Sequence, residues 1–338
     1  MSYCNKILSF RKMAQKELIF PEFDSLEVST KTYTALPNFK INLLKLFDII
    51  PITPYTVIKK KRGRKPKCDE KDPNSSIKSG SFISVKFKDK IRGINLKNGD
   101  SCMRNSMAMD IIFDKRINFK IYCNGTFQLT GCKTYRHTVM CIERIWEIIK
   151  DVPDIYEIPQ GELPEAIIVP AMRNVDFELG FKVDREKMMY EKKNFSAARC
   201  HLDVNCTYTG ITVKIPLQRD ILSLETLVIK YQPTGEWTTE KSTYSEYIKK
   251  LPKKSMQEKM KKKRFNTFFV FYSGSTVMTG PCREFMREDY YTFTELIKSN
   301  YLNIVENLKP QECVSDGDIF SDNDDISSKI IDSINLSE

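Results

Sequence analysis

Few side chains in this sequence are spaced for catalysis or for metal binding. The only histidines are His137 and His201, and the ten cysteines include no Cys-x-x-Cys pair. A zinc site needs close Cys and His pairs, so the sequence predicts no metal and favours reduced, mostly buried thiols. Gly-rich phosphate loops, HExxH and nucleophile elbows are also absent, which argues against an enzyme. The adjacent Asp324 and Asp325 lie in an acidic tail, where rigid metal geometry is not expected. A carboxylate-based nuclease needs no histidine and is kept as a minor alternative.

The strongest internal pattern is a hairpin that occurs twice. IYCNGTFQLTGCK at 121–133 and VFYSGSTVMTGPC at 270–282 each predict an aromatic strand, a turn at Gly, and a second strand that ends in Thr-Gly. Each is followed by a long amphipathic helix, at 133–151 and 282–308. Gly125 and Gly274 are expected to be turn residues. The repetition indicates two related halves of one chain.

Other segments repeat in the same order. Each half begins with an alternating strand, near 26–36 and at 173–183, followed by a short helix at 39–50 or 184–194. A further strand then precedes the hairpin, at 105–113 or 208–217. The shared order is therefore strand, helix, three strands, helix. A sheet covered by helices on one face leaves its other face open, and two copies would join these faces into one surface.

Two basic segments interrupt the halves, at about 58–102 and 217–264. Both are expected to be solvated loops or short helices, although SFISVKFK at 81–88 could form a strand. The remaining boundaries define the predicted domains. These are an N-terminal extension 1–25, a first repeat 26–151, a linker 152–164, a second repeat 165–308 and an acidic, disordered tail 309–338.

Charge is divided unevenly along the chain. The net charge is +10, but residues 311–338 carry eight acidic residues and one Lys, which leaves +17 on the rest. A basic body with an acidic tail is typical of polyanion-binding proteins. No apolar run is long enough to span a membrane, and the N-terminus lacks the features of a signal peptide.

The hairpins YCNGTFQLTGCK and FYSGSTVMTGPC resemble the aromatic-x-x-Gly…Thr-Gly-x-Lys hairpin found once in each repeat of TATA-box-binding proteins. The stretch MRNSMAMDIIFDKRINFKIYCNGTFQLTGCK is similar to divergent versions in large nucleocytoplasmic DNA viruses. The resemblance implies an α+β fold. Two pseudo-symmetric repeats would form a curved antiparallel β-sheet saddle with helices on its convex face. The concave face would bind the DNA minor groove, with aromatic rings wedged between base steps.

The resemblance also assigns DNA-contacting positions. The wedge before the hairpin Gly corresponds to Tyr122 and Phe271. A second wedge corresponds to Tyr208 in the second half, and to Asn105 in the first, unless a different register supplies Phe82. The remaining matches are the hydroxyls Thr130 and Thr279, the amide Asn174, the apolar Val277 and the phosphate-facing Lys133. The first half has Gln128 where the second has Val277, and no Asn matches Asn174.

KKKRGRKPK at 59–67 resembles an AT-hook, in which Arg62 and Arg64 would follow a narrow A·T groove. A nuclear-localisation signal and a solvated loop are equally compatible with this composition.

Together these features predict a TATA-box-binding-like transcription initiation factor that bends A·T-rich promoter DNA and needs no cofactor. Its implied partners are double-stranded DNA and general transcription factors or a viral RNA polymerase. The implied location is intracellular: the host nucleus, a cytoplasmic viral factory or the virion. The alternative is a saddle-shaped protein-interaction scaffold that does not bend DNA.

Overall fold

The structure is a computed structural model that describes residues 18–57, 73–95, 105–197, 201–204 and 210–306. Tyr208, Arg62, Arg64 and the predicted tail 309–338 lie outside the described residues.

The first half of the chain builds most of its strands before one long helix. Its strands are β1 Val28–Pro37, β2 Lys40–Ile41, β3 Ser81–Phe87, β4 Lys90–Gly93, β5 Ser106–Ile112, β6 Arg116–Tyr122 and β7 Phe127–Cys132. Its helices are α1 Leu43–Ile49 and α2 Tyr135–Ile149. Asn42 is the N-cap of α1, and its side chain accepts hydrogen bonds from two backbone N–H groups of the first turn.

The second half repeats this plan with additional elements. Its strands are β8 Tyr156–Glu157, β9 Glu165–Glu178, β10 His201–Val204, β11 Gly210–Pro216, β12 Glu225–Tyr231, β13 Trp237–Thr243, β14 Phe265–Phe271 and β15 Ser275–Gly280. Its helices are α3 Arg185–Tyr190, α4 Lys192–Ala197, α5 Tyr244–Lys249, α6 Lys253–Lys261 and α7 Arg283–Ile304. Two short 3₁₀ turns lie at Phe23–Ser25 and Ile221–Ser223.

Thirteen strands form one antiparallel sheet with β1 and β9 at its centre. Outward from β1 the order is β7, β6, β5, β3 and β4, and outward from β9 it is β15, β14, β11 and β10. The two orders correspond strand for strand, as far as β3 on the side of β1 and β10 on the side of β9. The predicted α+β fold, a curved antiparallel saddle of two pseudo-symmetric repeats with helices on its convex face, is therefore confirmed.

Each repeat buries one face of its strands beneath its last helix. In β6, the alternating residues Ile117, Phe119 and Ile121 are fully buried, as expected when side chains of a strand point to opposite faces. The ring of Trp146 in helix α2 lies 5.5 Å from the ring of Phe39 in this first core, measured between centroids. We use the name open face for the side of the sheet that points away from α2 and α7.

The core of the second repeat lies between β14 and α7. Phe268 stacks on Phe293 with ring centroids 4.1 Å apart, and both rings are fully buried. This contact fixes which face of β14 points toward the helix. Phe265, Thr267, Phe269 and Phe271, which alternate with buried residues, therefore lie on the open face.

The segment 217–264 contains short helices, as predicted, but it is more than a set of solvated loops and short helices. It forms the β12–β13 hairpin and helices α5 and α6, and it buries Tyr244, Tyr247 and Ile248 in a small core of its own. The hairpin and this core were not predicted because the many lysines lower the mean hydropathy of the segment. They lie on its exposed side, whereas its apolar residues are concentrated on the other side.

The β12–β13 hairpin also connects the two repeats. Strand β12 pairs with β9, and Ile229 is fully buried in the core of the first repeat. Tyr231 lies 5.6 Å from Trp146 of α2 and 5.3 Å from Trp237 of β13, measured between ring centroids. An insertion of the second repeat thus packs against the helix of the first and holds the two repeats in a fixed relation.

Beyond the four strands per repeat of the predicted order, each repeat adds one equivalent strand to the sheet, β3 or β10. SFISVKFK forms β3, which pairs with β5 inside the main sheet, so this part of the predicted insertion 58–102 belongs to the first repeat. Its counterpart β10 pairs with β11 in the same way. Strand β10 is only four residues long, which is too short for period-two alternation to identify it.

A buried carboxyl group between β14 and α7 predicts a pH effect on stability. Asp289 is 4% exposed, and burial raises its pKa to about 6 although a hydrogen bond from Asn266 lowers it. Since the folded protein holds this proton more tightly than the unfolded chain, the free energy of unfolding should fall as pH rises through 6.

Asp289→Asn should therefore stabilise the protein at pH 7.5 by about 1–2 kcal/mol and should flatten this pH dependence. Urea unfolding of both proteins at pH 5 and pH 7.5 measures the difference. A variant that is less stable than wild type at both pH values would contradict the assignment.

Candidate nucleic-acid interface

The hairpin of the second repeat holds Phe271 at the end of β14 on the open face. The turn is closed by the Gly274 N–H, which donates to the Phe271 carbonyl at 2.9 Å. The Leu179 N–H donates to the Gly274 carbonyl, also at 2.9 Å. Gly274 has a φ of +90°, and a Cβ there would lie 2.1 Å from the Phe181 carbonyl oxygen. Glycine is therefore required by this close approach, and the position of Phe271 is fixed by backbone contacts.

An amide and a hydroxyl lie farther along the open face, beside Thr267 of β14. Asn174 of β9 is opposite Thr279 of β15 in the strand register, and the Thr279 hydroxyl donates to Asn174 Oδ1 at 2.9 Å. The carbonyl of the amide is thus engaged, which orients its NH₂ group as a donor. Val277 lies two residues before Thr279 on the same face.

The hairpin of the first repeat places Tyr122 in the equivalent position. The Gly125 N–H donates to the Tyr122 carbonyl at 2.9 Å, as in the other turn. Tyr122 differs from Phe271 because its hydroxyl donates to Gln128 Oε1 at 2.5 Å. Thr130, the other predicted hydroxyl of this half, lies partly buried on the same face.

The strand register identifies which residues of the two repeats correspond. Thr130 pairs with Thr32 in β1, as Thr279 pairs with Asn174 in β9. Thr32 therefore occupies the position for which the sequence offers no Asn. It is 5% exposed, and its hydroxyl has no hydrogen-bond partner among the described residues.

Two further positions on the open face escaped the sequence analysis. Phe269 lies two residues before Phe271, and Lys120 lies two residues before Tyr122. Phe269 pairs with Val277, and Lys120 pairs with Gln128. Val277 and Gln128 each lie two residues before the Thr of their hairpin. Counting back by two from each predicted wedge would have found both.

Lys133 is exposed directly after β7, and its backbone N–H donates to Nδ1 of His137 at 3.1 Å. Nε2 of the same imidazole lies 2.8 Å from the Asp114 carboxylate, so His137 fixes the start of α2.

The counterpart of Lys133 is Cys282, where burial raises the thiol pKa to about 12. The neighbouring Arg283 contacts Asp24 at 2.6 Å.

Neither residue proposed for the second wedge of the first repeat, Asn105 or Phe82, occupies the position equivalent to Tyr208. Phe82 is fully buried and its ring lies 6.2 Å from Phe119 in the first core, so the register that would make it a wedge is wrong. Asn105 is exposed before β5, and its carbonyl accepts from the Cys123 N–H. Since Ser106 and Gly210 occupy equivalent register positions, Asn105 corresponds to the residue after Tyr208 rather than to Tyr208 itself.

Cys123 gives a chemical probe of the first hairpin turn because it is exposed and follows Tyr122 directly in the chain. We expect a bound A·T-rich duplex to slow alkylation of Cys123 by iodoacetamide at least about fivefold. Cys141 is the internal control, since it is fully buried and burial raises its thiol pKa. Peptide mass spectrometry reports each site separately. An unchanged Cys123 rate under saturating DNA would place the duplex elsewhere.

Among the described residues, no three His, Cys, Asp or Glu side chains are grouped to hold a metal ion. The described helices likewise include none with the length and apolar character needed to cross a bilayer.

Known proteins give sequence matches and a distant structural one. No protein-family model matches the chain. "Uncharacterized protein 335L" of Invertebrate iridescent virus 6 is 24% identical over 297 residues, 83% of this chain and 85% of the relative. The "TATA-box-binding protein-like" protein of Acanthamoeba polyphaga mimivirus is 26% identical over 204 residues, 58% of this chain and 46% of the relative. The solved structure of "Methanococcus jannaschii TBP" covers 82% of this chain and 99% of its own at 12% identity, with a TM-score of 0.40.

The resemblance predicted from the hairpins therefore stands: this chain is similar to the divergent TATA-box-binding-like proteins of large DNA viruses.

Proposed function

We propose that the protein is a transcription initiation factor whose open face binds A·T-rich promoter DNA in the minor groove and bends it. One observation carries this proposal. Two register-equivalent hairpins place Tyr122 and Phe271 at corresponding positions in the two repeats of one continuous sheet, on the face that the helices leave open.

The chemistry of this face suits a widened minor groove. An aromatic ring that enters a base step replaces part of the stacking lost there, which costs a few kcal/mol per step. Thr279 and the amide of Asn174 supply polar groups for the acceptors of A·T pairs. Flexible pyrimidine–purine steps would lower the cost of the bend, so that deformability contributes to sequence preference.

Charge and partners follow from the same proposal. The +17 outside the acidic tail would attract phosphates and make binding steeply dependent on salt. The convex helices would present the bent duplex to general transcription factors or a viral RNA polymerase. The protein would act without catalysis, in the host nucleus or a cytoplasmic viral factory, or be carried in the virion.

Base analogues test whether the minor groove is read. Fluorescence anisotropy of the full chain would compare three duplexes built from A·T, I·C and G·C pairs. The I·C pair resembles A·T in the minor groove and G·C in the major groove, because inosine lacks the guanine amino group. We expect A·T and I·C duplexes to bind alike and at least about tenfold tighter than G·C. Alike binding of I·C and G·C would refute a minor-groove contact.

A further inference from the structure

The insertion that forms β12, β13, α5 and α6 lies partly on the open-face side of the sheet. Opposite residues of an antiparallel pair point to the same face. Val169 of β9 is opposite Thr34 of β1, and Thr34 is opposite Gln128 of β7. The Gln128 side chain accepts from Tyr122 on the open face. Val169, and Ile167 two residues before it, therefore point to this side as well.

Strand β12 separates helix α5 from helix α2. Ile229 is buried in the core of the first repeat beneath α2. Val228, which is opposite Ile167, is buried in the small core of the insertion together with Ile167 and Val169. That core extends to Phe285 at the start of α7 and contains three residues of α5: Tyr244, Tyr247 and Ile248. Helix α5 therefore lies on the open-face side, where it covers the N-terminal end of β9.

The charge of the insertion is concentrated in and around α6. Residues 217–248 include three basic and five acidic residues, whereas residues 249–264 include eight Lys, one Arg and one Glu. In the β12–β13 hairpin, Lys230 and Lys241 form ion pairs with Glu residues at 2.6 and 2.9 Å. Other lysines are exposed and form no ion pair with any described residue: Lys253, Lys254, Lys261 and Lys263.

Contacts with α5 hold this basic helix in place. Met256 packs against the small core of the insertion, and Lys259 Nζ lies 5.9 Å from the centroid of the Tyr247 ring. Shortly after the helix, Arg264 Nη2 donates to the Tyr244 hydroxyl at 2.8 Å. The exposed lysines therefore form a positively charged surface with a fixed position relative to the sheet.

A duplex on the open face would pass next to this surface. Three strand spacings of about 4.8 Å separate β6, which carries Tyr122, from β9 beneath α5. A helix is about 10–12 Å across, so α5 and the helix α6 packed on it would flank the bound DNA. The ammonium group of Lys binds phosphate as a point charge and does not read the bases.

We infer that α6 binds backbone phosphates of the same duplex whose minor groove lies on the open face. This inference rests on the proposed function. The insertion is thus a second DNA contact, which adds affinity without adding base preference.

Removing three of these charges tests the contact. In the variant Lys253→Gln, Lys254→Gln, Lys261→Gln, the altered side chains are exposed, and Gln is a good helix former. Fluorescence anisotropy would measure binding of the full chain to an A·T-rich duplex over a range of salt concentrations. We expect affinity at about 0.1 M salt to fall at least about tenfold. The slope of log K against log salt should fall by about 2–3, because each phosphate contact contributes about 0.9.

The matched control removes three exposed lysines from the side of the sheet that carries the long helices. Lys150 follows α2, and Lys192 and Lys193 lie in α4, whose Phe195 is buried in the second core. Changing these three to Gln alters the net charge equally and should weaken binding less than about threefold. Equal losses in the two variants would overturn the inference and leave the proposed function intact. Failure of wild type to bind any duplex would instead refute the proposed function, and this inference with it.

Acetylation of wild type gives a second readout that needs no variant. A saturating A·T-rich duplex should slow acetylation of Lys253, Lys254 and Lys261 at least about fivefold, and that of Lys150 and Lys192 less than about twofold. Peptide mass spectrometry reports each site. Unchanged acetylation of α6 while anisotropy reports full binding would overturn the inference.

Discussion

Replacing Phe271 with alanine is expected to weaken binding to an A·T-rich duplex about 30- to 150-fold, which corresponds to about 2–3 kcal/mol. The ring is partly exposed at the end of β14 on the open face, and stacking on a base contributes about 1–3 kcal/mol. Few of its contacts are in the core, so the midpoint of thermal unfolding should fall by only about 2–4 °C.

Phe268, three residues earlier on the same strand, is the matched control. It is fully buried and stacked on Phe293, so Phe268→Ala should cost about 3–5 kcal/mol of stability. Fluorescence anisotropy at a temperature where both variants are folded separates the two effects. Phe271→Ala with wild-type affinity would exclude Phe271 as a DNA contact, and a stability loss equal to that of Phe268→Ala would make it a core residue.

The two hairpin glycines should respond very differently to alanine. Both have positive φ, +88° at Gly125 and +90° at Gly274, and a left-handed conformation costs alanine about 1–2 kcal/mol. At Gly125 the new Cβ would lie 3.5 Å from its nearest neighbours, an ordinary contact. At Gly274 it would lie 2.1 Å from the Phe181 carbonyl oxygen.

We therefore expect Gly125→Ala to cost about 1–2 kcal/mol and Gly274→Ala to cost more than about 4 kcal/mol. Urea unfolding of the two variants gives both values. Because the Gly274 turn positions Phe271, DNA affinity should fall with stability in this variant. Similar losses at the two glycines would show that the second turn is not fixed against Phe181.

The repeated hairpins and long helices were predictable because their patterns are local. The predicted helix 133–151 is Tyr135–Ile149, and the predicted helix 282–308 is Arg283–Ile304. Their apolar residues recur at helical spacing, and Gly marks each turn. The aromatic residue before each hairpin Gly was predicted from this local pattern, whereas the face on which it lies required the strand and helix contacts.

Features that depend on distant strands could not be predicted in this way. Thr32 takes the place of the missing Asn only because β1 pairs with β7, about 100 residues later in the chain. Phe82 could be excluded as a wedge only after β3 had been placed against β5. The β12–β13 hairpin and the small core of the insertion 217–264 were missed because the lysines of this segment outnumber its fully buried apolar residues.

Energy transfer across an A·T-rich duplex labelled at both ends measures the bend directly. On adding the full chain, the distance between the duplex ends should shorten, and Phe271→Ala should shorten it less even when the DNA is saturated. An end-to-end distance that stays unchanged while anisotropy reports full binding would contradict DNA bending by the open face.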